Sequence, residues 1–437
     1  MIAAIKRLLG RRRIRASFFL SCISYVSIAL GFFSQFYIAK VVGAYGYGIV
    51  AIALAYPSLI FSLATPKSNS VLARYLVEYR SQNNLELVIP TCLLGYTVDL
   101  LAALVTIGLI FATGQLIPAT GYDGQKVYQL MMIYSLSMPF LAVTNTSFAI
   151  LNGYEQYSQL GWIQLIKRIF LLTAFWGFIQ FMGSGSRSLI AAYAASNLLY
   201  GGLAVGMAGW TVLSRQSVSY QQLFFKAGSQ ALVRHILGSY GWNFLLVTVT
   251  GFSTQLPVIF LGSTQGPESA GFFRLGVLLA NAAMFPKAAL GKTLLPKLTE
   301  EMRAHTGRWL SQQFRRWTLK LGIPLGLSIL LASWLLYPLI DYVYGPEYTR
   351  VFAGFYLLLS SAAGLSVFFW LEPYYFAYAR YRALALINLS YLLVFCLLGS
   401  LPVPMSGFVW LCLADLLAKI LLIGLSLLGL RTVFRHS

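Results

Sequence analysis

Long apolar runs separated by short polar connections make up almost the whole chain. A helix that crosses a bilayer needs roughly 20 mainly apolar residues. Such runs fall at about 16 to 40, 47 to 65, 88 to 113, 127 to 151, 160 to 183 and 187 to 213. Six more follow at about 232 to 262, 268 to 292, 318 to 343, 350 to 377, 383 to 401 and 405 to 430. The pattern predicts an all-α integral membrane protein with about twelve transmembrane helices, here called spans 1 to 12. Composition agrees, since 58% of the 437 residues are hydrophobic, 10% are charged and the mean hydropathy is +0.72, outside the range of a soluble domain.

The two halves echo each other. GFFSQ at 31–35 returns as GFSTQ at 251–255, Gly48 aligns with Gly271, YEQYSQLGWIQL at 154–165 with YARYRALALINL at 378–389, and AASNLL at 194–199 with CLADLL at 412–417. Separations of 220, 223, 224 and 218 residues, in one order, indicate a duplication with small indels. Six spans per repeat is an even number, so two six-helix bundles enter the membrane from the same side, related by pseudo-two-fold symmetry along the membrane normal, and a central cleft is expected. The chain then divides into a basic arm (1–15), an N-terminal bundle (16–213), a linker (214–231), a C-terminal bundle (232–430) and a tail (431–437).

Charge orients these spans. The chain has 32 Lys and Arg against 12 Asp and Glu, a balance of +20. Cations crowd the N-terminal arm and alternate loops, whereas the opposite side carries only Lys126, Arg187 and Arg350, which predicts cytoplasmic termini by the positive-inside rule. The arm with its following run of about 24 residues reads as span 1, having no small-residue cleavage site. Scattered basic loops offer no stripe for nucleic acid. Membrane lipids suit them better, above all at the amphipathic stretch EEMRAHTGRWLSQQFRRW.

Catalytic and metal chemistry find no support. Cys22, Cys92, Cys396 and Cys412 lie in apolar runs without a CxxC and read as packing residues, and His235, His305 and His436 fall in or beside basic loops. No catalytic residue, metal site or cofactor is expected, and the outer connections are too short for the domain of a ligase or polymerase.

Ionisable residues within the spans are costly and therefore informative. Lys167 and Arg168 stand side by side in span 5, where they either mark its cytoplasmic end and snorkel, or line the cleft. Arg274 and Lys287 in span 8 pose the same choice; Arg274, Asn281 and Lys292 share one helical face, and Pro286 interrupts the helix. Lys40 lies near the outer end of span 1. Ser24, Ser27, Gly31 and Ser34 run down one face of that span with Gln35 alongside, a stripe that serves helix packing or, with its repeat partner Gly251, Ser253, Thr254 and Gln255, lines a cleft suited to sugars. Asp415 and Lys419 have the i,i+4 spacing of a structural ion pair. Asp99 and Glu372 are the acids that would couple to H+ or Na+, or pair with a cation.

VVGAYGYGIVAIAL after span 1, GPESAGFFRLGVLL opening span 8, PKLTEEM closing it and VYGPEYTRVFAGFYLLLSSA across spans 9 and 10 resemble the polysaccharide-transporter family, which includes the bacterial O-antigen flippases of the multidrug, oligosaccharidyl-lipid and polysaccharide exporter superfamily. The resemblance covers nearly the whole chain. It implies two six-helix bundles, a V-shaped cleft and non-hydrolytic flipping of undecaprenyl diphosphate-linked oligosaccharide, a repeat unit of O-antigen, capsule or exopolysaccharide, across the bacterial cytoplasmic membrane. The partner it implies is a polyprenyl diphosphate-linked glycan, together with other polysaccharide-assembly membrane proteins. Cations at Arg274, Lys287, Lys167, Arg168 and Lys40, with Gln35, Gln255 and Asn281 as polar lining, would then meet the diphosphate and the sugars. The rivals are a drug exporter of the same superfamily, which would need buried acids, for which only Asp99, Glu372 and Asp415 are candidates, and a membrane glycan ligase or polymerase.

Overall fold

The computed structural model describes residues 12–65, 69–82, 85–116, 124–183, 185–214, 241–288, parts of 290–298, 307–344, 352–378, 380–401 and 407–434. The arm up to Arg11, Lys67, the linker 215–240, Lys292, Lys297, Arg303, Arg350, the three histidines and the side chains of Cys22 and Ser24 lie outside them.

Each predicted span has a helical counterpart. Spans 1 and 2 form one element, α1 (Arg12–Ala64), broken at Gly43, whose φ of 79° and ψ of 162° leave the helical region and favour a residue without Cβ. After the short helix α2 (Asn69–Ser81), span 3 is α3 (Val88–Thr113). Span 4 is the pair α4 (Gly124–Ser135) and α5 (Met138–Gly153), bent by 41°. Pro139 causes the bend, because it has no N–H for the Ser135 carbonyl and its ring crowds that oxygen. At the bend Ser135 and Ser137 donate to the Met132 and Tyr134 carbonyls at 2.8 and 2.7 Å, beside the backbone bonds those oxygens already accept from Leu136 and Ser137. Spans 5, 6 and 7 are α6 (Tyr157–Met182), α7 (Ser186–Leu213) and α8 (Gly241–Gln265).

Span 8 breaks at its proline, as the sequence predicts. Its helix, α9 (Pro267–Ala283), stops at Met284, because Pro286 cannot bond the Ala282 carbonyl; Arg274 and Asn281 lie on α9, and Lys292 lies outside the described residues. Span 9 begins with the amphipathic α10 (Gly307–Trp317), passes through a π-helical turn at Thr318–Gly322 and continues as α11 (Ile323–Tyr344). Span 10 is the 48° bent pair α12 (Phe352–Val367) and α13 (Leu371–Ala377), and spans 11 and 12 are α14 (Tyr381–Gly399) and α15 (Gly407–Phe434). Taken one by one, eight described helices are long and apolar enough to cross a membrane, or ten spans when each bent pair counts once. Cys92 and Cys412 are buried as expected, whereas Cys396 is exposed on α14, on an apolar face where a small thiol meets no penalty.

The chain forms two compact units. The first comprises Met1–Ile38, Ala53–Pro118 and Asp123–Val247; the second comprises Ala39–Ile52, Ala119–Tyr122 and Thr248–Ser437. In the first, Leu76, Ile89, Cys92, Ile150, Leu160, Ala204 and Ala208 pack α2, α3, α5, α6 and α7 into one core. Large apolar side chains such as Leu101, Leu104 and Phe111 stay exposed, as on helices whose solvent is lipid.

Repeat equivalence holds at the level of single hydrogen bonds. In the first unit Tyr154 N–H bonds the Ile150 carbonyl at 2.9 Å and Gln156 N–H the Leu151 carbonyl at 2.8 Å; in the second, Tyr378 N–H bonds Tyr374 at 3.0 Å and Arg380 N–H bonds Tyr375 at 2.9 Å. Gln156 (φ −85°, ψ 52°) and Arg380 (φ −86°, ψ 48°) start the next helix from nearly one conformation. A guanidinium also lies over each motif tyrosine, Arg80 over Tyr154 at 4.3 Å and Arg380 over Tyr378 at 5.9 Å. Within the second unit, Gly48 abuts the Pro267 carbonyl while its equivalent, Gly271, abuts the Ala44 carbonyl, and the two glycines touch. Shifted by the same 223 residues, these contacts are reciprocal.

A Cβ on Gly48 would lie 1.8 Å from the Pro267 oxygen, so Gly48→Val is expected to force the helices apart and destabilise the protein by about 1–3 kcal/mol. Gly206→Ala, placed in open space, is expected to change stability by less than about 1 kcal/mol. Thermal unfolding in detergent checks both; an unchanged Tm for the Gly48 variant would contradict the packing described.

Candidate functional site: a cationic seam in the first unit

Lys167 lies ten residues into α6, about 15 Å from its start at Tyr157, so the helix runs well past the pair on both sides instead of beginning there. Both side chains turn toward other helices. Lys167 Nζ sits 3.9 Å from the centroid of the Tyr200 ring on α7, a cation–π contact that lowers the cost of holding an ammonium away from water. Arg168 lies along α1 against Gly31, where a Cβ would come within 3.1 Å of its Nε and Cζ; only a residue without a side chain lets the guanidinium approach so closely.

Hydroxyls and amides line the same seam. Ser27 donates to the Gln164 carbonyl at 3.4 Å, Ser196 to the Lys167 carbonyl at 3.3 Å and Tyr193 to Gln35 Oε1 at 2.9 Å. The small-polar stripe of α1 thus faces α6 and α7, with Ser27, Gly31 and Gln35 spaced at i, i+4 and i+8 on one helical face. Tyr193, Ser196 and Tyr200 answer from α7 at i, i+3 and i+7. No carboxylate forms an ion pair with Lys167 or Arg168 among the described residues.

The repeat-equivalent place in the second unit is neutral. Asn197 donates to Ser137 Oγ at 3.0 Å in the first unit; their equivalents are Asp415 and Ser361, and Ser361 Oγ meets Asp415 Oδ2, also at 3.0 Å. Asp415 further accepts from Tyr391 at 2.7 Å and from Lys419 at 2.7 Å, while Lys419 reaches Ser361 Oγ at 3.2 Å. Tyr391 is 224 residues beyond Lys167 and is its counterpart. Where the second unit holds an acid, a cation and two hydroxyls that satisfy one another, the equivalent place in the first holds two half-buried cations with no ion-paired carboxylate among the described residues. A cation withdrawn from water without such compensation is costly, which leaves this place with capacity for an anion.

The remaining candidates are dispersed. Lys287, 18% exposed, pairs with the exposed Glu372 at 3.6 Å, which joins two residues that the sequence left apart. Arg274 and Gln255 are half-buried, and Asn281 and Lys40 are exposed. Asp99 is fully buried, with Oδ2 accepting from the Thr146 N–H at 3.1 Å and hydroxyl at 2.6 Å, and with Oδ1 lacking a partner. Among the described residues no three His, Cys, Asp or Glu side chains cluster as metal ligands do. Tyr200, Tyr193 and Ser196 were missed from the sequence. The AASNLL match could have found them, because aligning Asn197 with Asp415 marks α7 as the partner of a polar site.

Known proteins supply a context for this geometry. A family model described as polysaccharide biosynthesis protein matches residues 14–301. Inner membrane protein YghQ of Escherichia coli strain K12 is 24% identical over 349 residues, covering 78% of this chain and 95% of that protein. Among solved structures, an inward-facing MATE family multidrug resistance transporter of the MOP superfamily superposes with a TM-score of 0.71 at 13% identity, covering 94% of this chain and 96% of its own. The lipid II flippase MurJ in an inward closed conformation gives 0.67 at 16% identity, covering 94% and 87%. The Vibrio cholerae MATE transporter VcmN gives 0.63 at 16%, covering 98% of both. A duplicated multi-pass helical chain with this fold and this family match belongs to the polysaccharide biosynthesis protein family.

Proposed function

We propose that this MOP-superfamily membrane transporter is a flippase for polyprenyl diphosphate-linked oligosaccharide in the bacterial cytoplasmic membrane, with both termini cytoplasmic. The observation that carries the reading is the pair Lys167 and Arg168, held in mid-helix with no carboxylate at ion-pair distance among the described residues, while the equivalent site in the second unit is neutralised internally. A diphosphate carries about two negative charges and faces a large desolvation penalty in hydrocarbon. Arg168 offers a planar fork for two phosphate oxygens and Lys167 a point charge. Tyr193, Gln35, Ser27 and Ser196 present groups that can exchange their mutual hydrogen bonds for those of sugar hydroxyls. No bond in the cargo needs to break.

The drug-exporter reading is weaker on electrostatic grounds. Organic cations call for an available acid, yet Asp415 and Glu372 are each engaged by a lysine. For coupling to H+ or Na+ we assign Asp99, the one candidate acid that has no cation at ion-pair distance among the described residues.

Arg168→Gln and Lys167→Gln should each lower delivery of lipid-linked glycan to the outer leaflet about tenfold at unchanged expression, the effect of one charged hydrogen bond to phosphate. Export at the normal rate by both variants, or resistance to cationic drugs conferred by the unmodified chain, would overturn the reading. In proteoliposomes Asp99→Asn should make transport insensitive to an imposed H+ or Na+ gradient; a retained gradient response would remove Asp99 from coupling.

A further inference from the structure

At the end of the first unit that carries the connections after α3 and between α6 and α7, a cavity of about 500 Å³ opens between two helices. Gln125, Lys126 and Gln129 line it from the first turns of α4, and Met182, Gly185, Ser186 and Arg187 from the junction of α6 and α7. Lys126 and Arg187 are two of only three cations that the charge pattern places on this side of the membrane. Segments distant in sequence bring both to one cavity. Lys126 is half-buried and Arg187 exposed. Gln125 and Gln129, both exposed, add amide donors on the same helix.

We infer that this cavity binds the phosphate of a membrane lipid headgroup. Its volume falls in the range of small-molecule sites, about 300–1,000 Å³. Two cations and two amides of opposed helices suit an anion that carries several acceptor oxygens. Met182, the single large apolar side chain of the lining, is exposed beside these cations at the end of α6, a membrane-length apolar helix, which suits a ligand whose tail stays in lipid. The assignment stands apart from Lys167 and Arg168, which lie in the middle of α6 and do not line the cavity.

The test uses the full chain in nanodiscs of phosphatidylcholine doped with phosphatidylglycerol, with native mass spectrometry counting the anionic lipid retained. Lys126→Gln with Arg187→Gln should reduce retention about thirtyfold, as expected for two cations at a lipid surface. Lys126→Arg with Arg187→Lys, which keeps the charge, should restore it, and equal Tm values would show that each variant folds. Gly206→Ala, in open space, should retain the lipid as the unmodified chain does, and glycan delivery measured separately on the Arg168→Gln chain keeps failure of this inference and of the flippase reading separable. Added pyrophosphate should displace the lipid. Equal retention by the charge-removed variant would overturn the site, and pyrophosphate binding without lipid retention would assign it to a soluble anion instead.

Discussion

A charge placed in hydrocarbon must be compensated, and the two polar centres of this protein differ in where the compensation comes from. Around Asp415 it is internal: Lys419, Ser361 and Tyr391 satisfy the carboxylate from three helices. Around Lys167 and Arg168 it is partial, since an aromatic face and the backbone of a glycine permit the cations to reside there without neutralising them. A buried pair is expensive to break and a pair of like charges is expensive to keep. The first centre is therefore a fastener, and the second a place with capacity for an anion.

Duplication explains how one scaffold came to hold both. Equivalent turns after α5 and α13 use the same backbone bonds, and Ser137 with Asn197 repeats in Ser361 with Asp415. Changing Asn to Asp at one copy, beside a lysine one turn on, closes a centre; placing Lys opposite Tyr200 in the other opens it. Helix breaks follow the same economy of means. Pro139 and Pro286 each interrupt a span because neither has an N–H for the carbonyl four residues back.

Family membership and fold agree with that chemistry. Solved structures of the same fold include a multidrug resistance transporter and a lipid II flippase, so the fold alone does not choose the cargo. Local electrostatics bears on the choice, because among the described residues every candidate acid except Asp99 is tied to a cation, whereas Lys167 and Arg168 form no ion pair.

Periodicity and run length alone made the helical spans legible, because a segment that must satisfy its own backbone in lipid has to be a helix of fixed length. The duplication was legible too, and so was the Asp415 pair, whose i,i+4 spacing lies on one helix. Only the tertiary structure decided which way Lys167 and Arg168 point, since snorkelling and inward packing need the same letters and differ in the neighbours that α1 and α7 bring. It also decided that Lys287 meets Glu372 and that Lys126 and Arg187 share a cavity. Contacts between helices depend on rotation about each axis, and in a chain apolar on nearly every face the sequence carries little information about that angle.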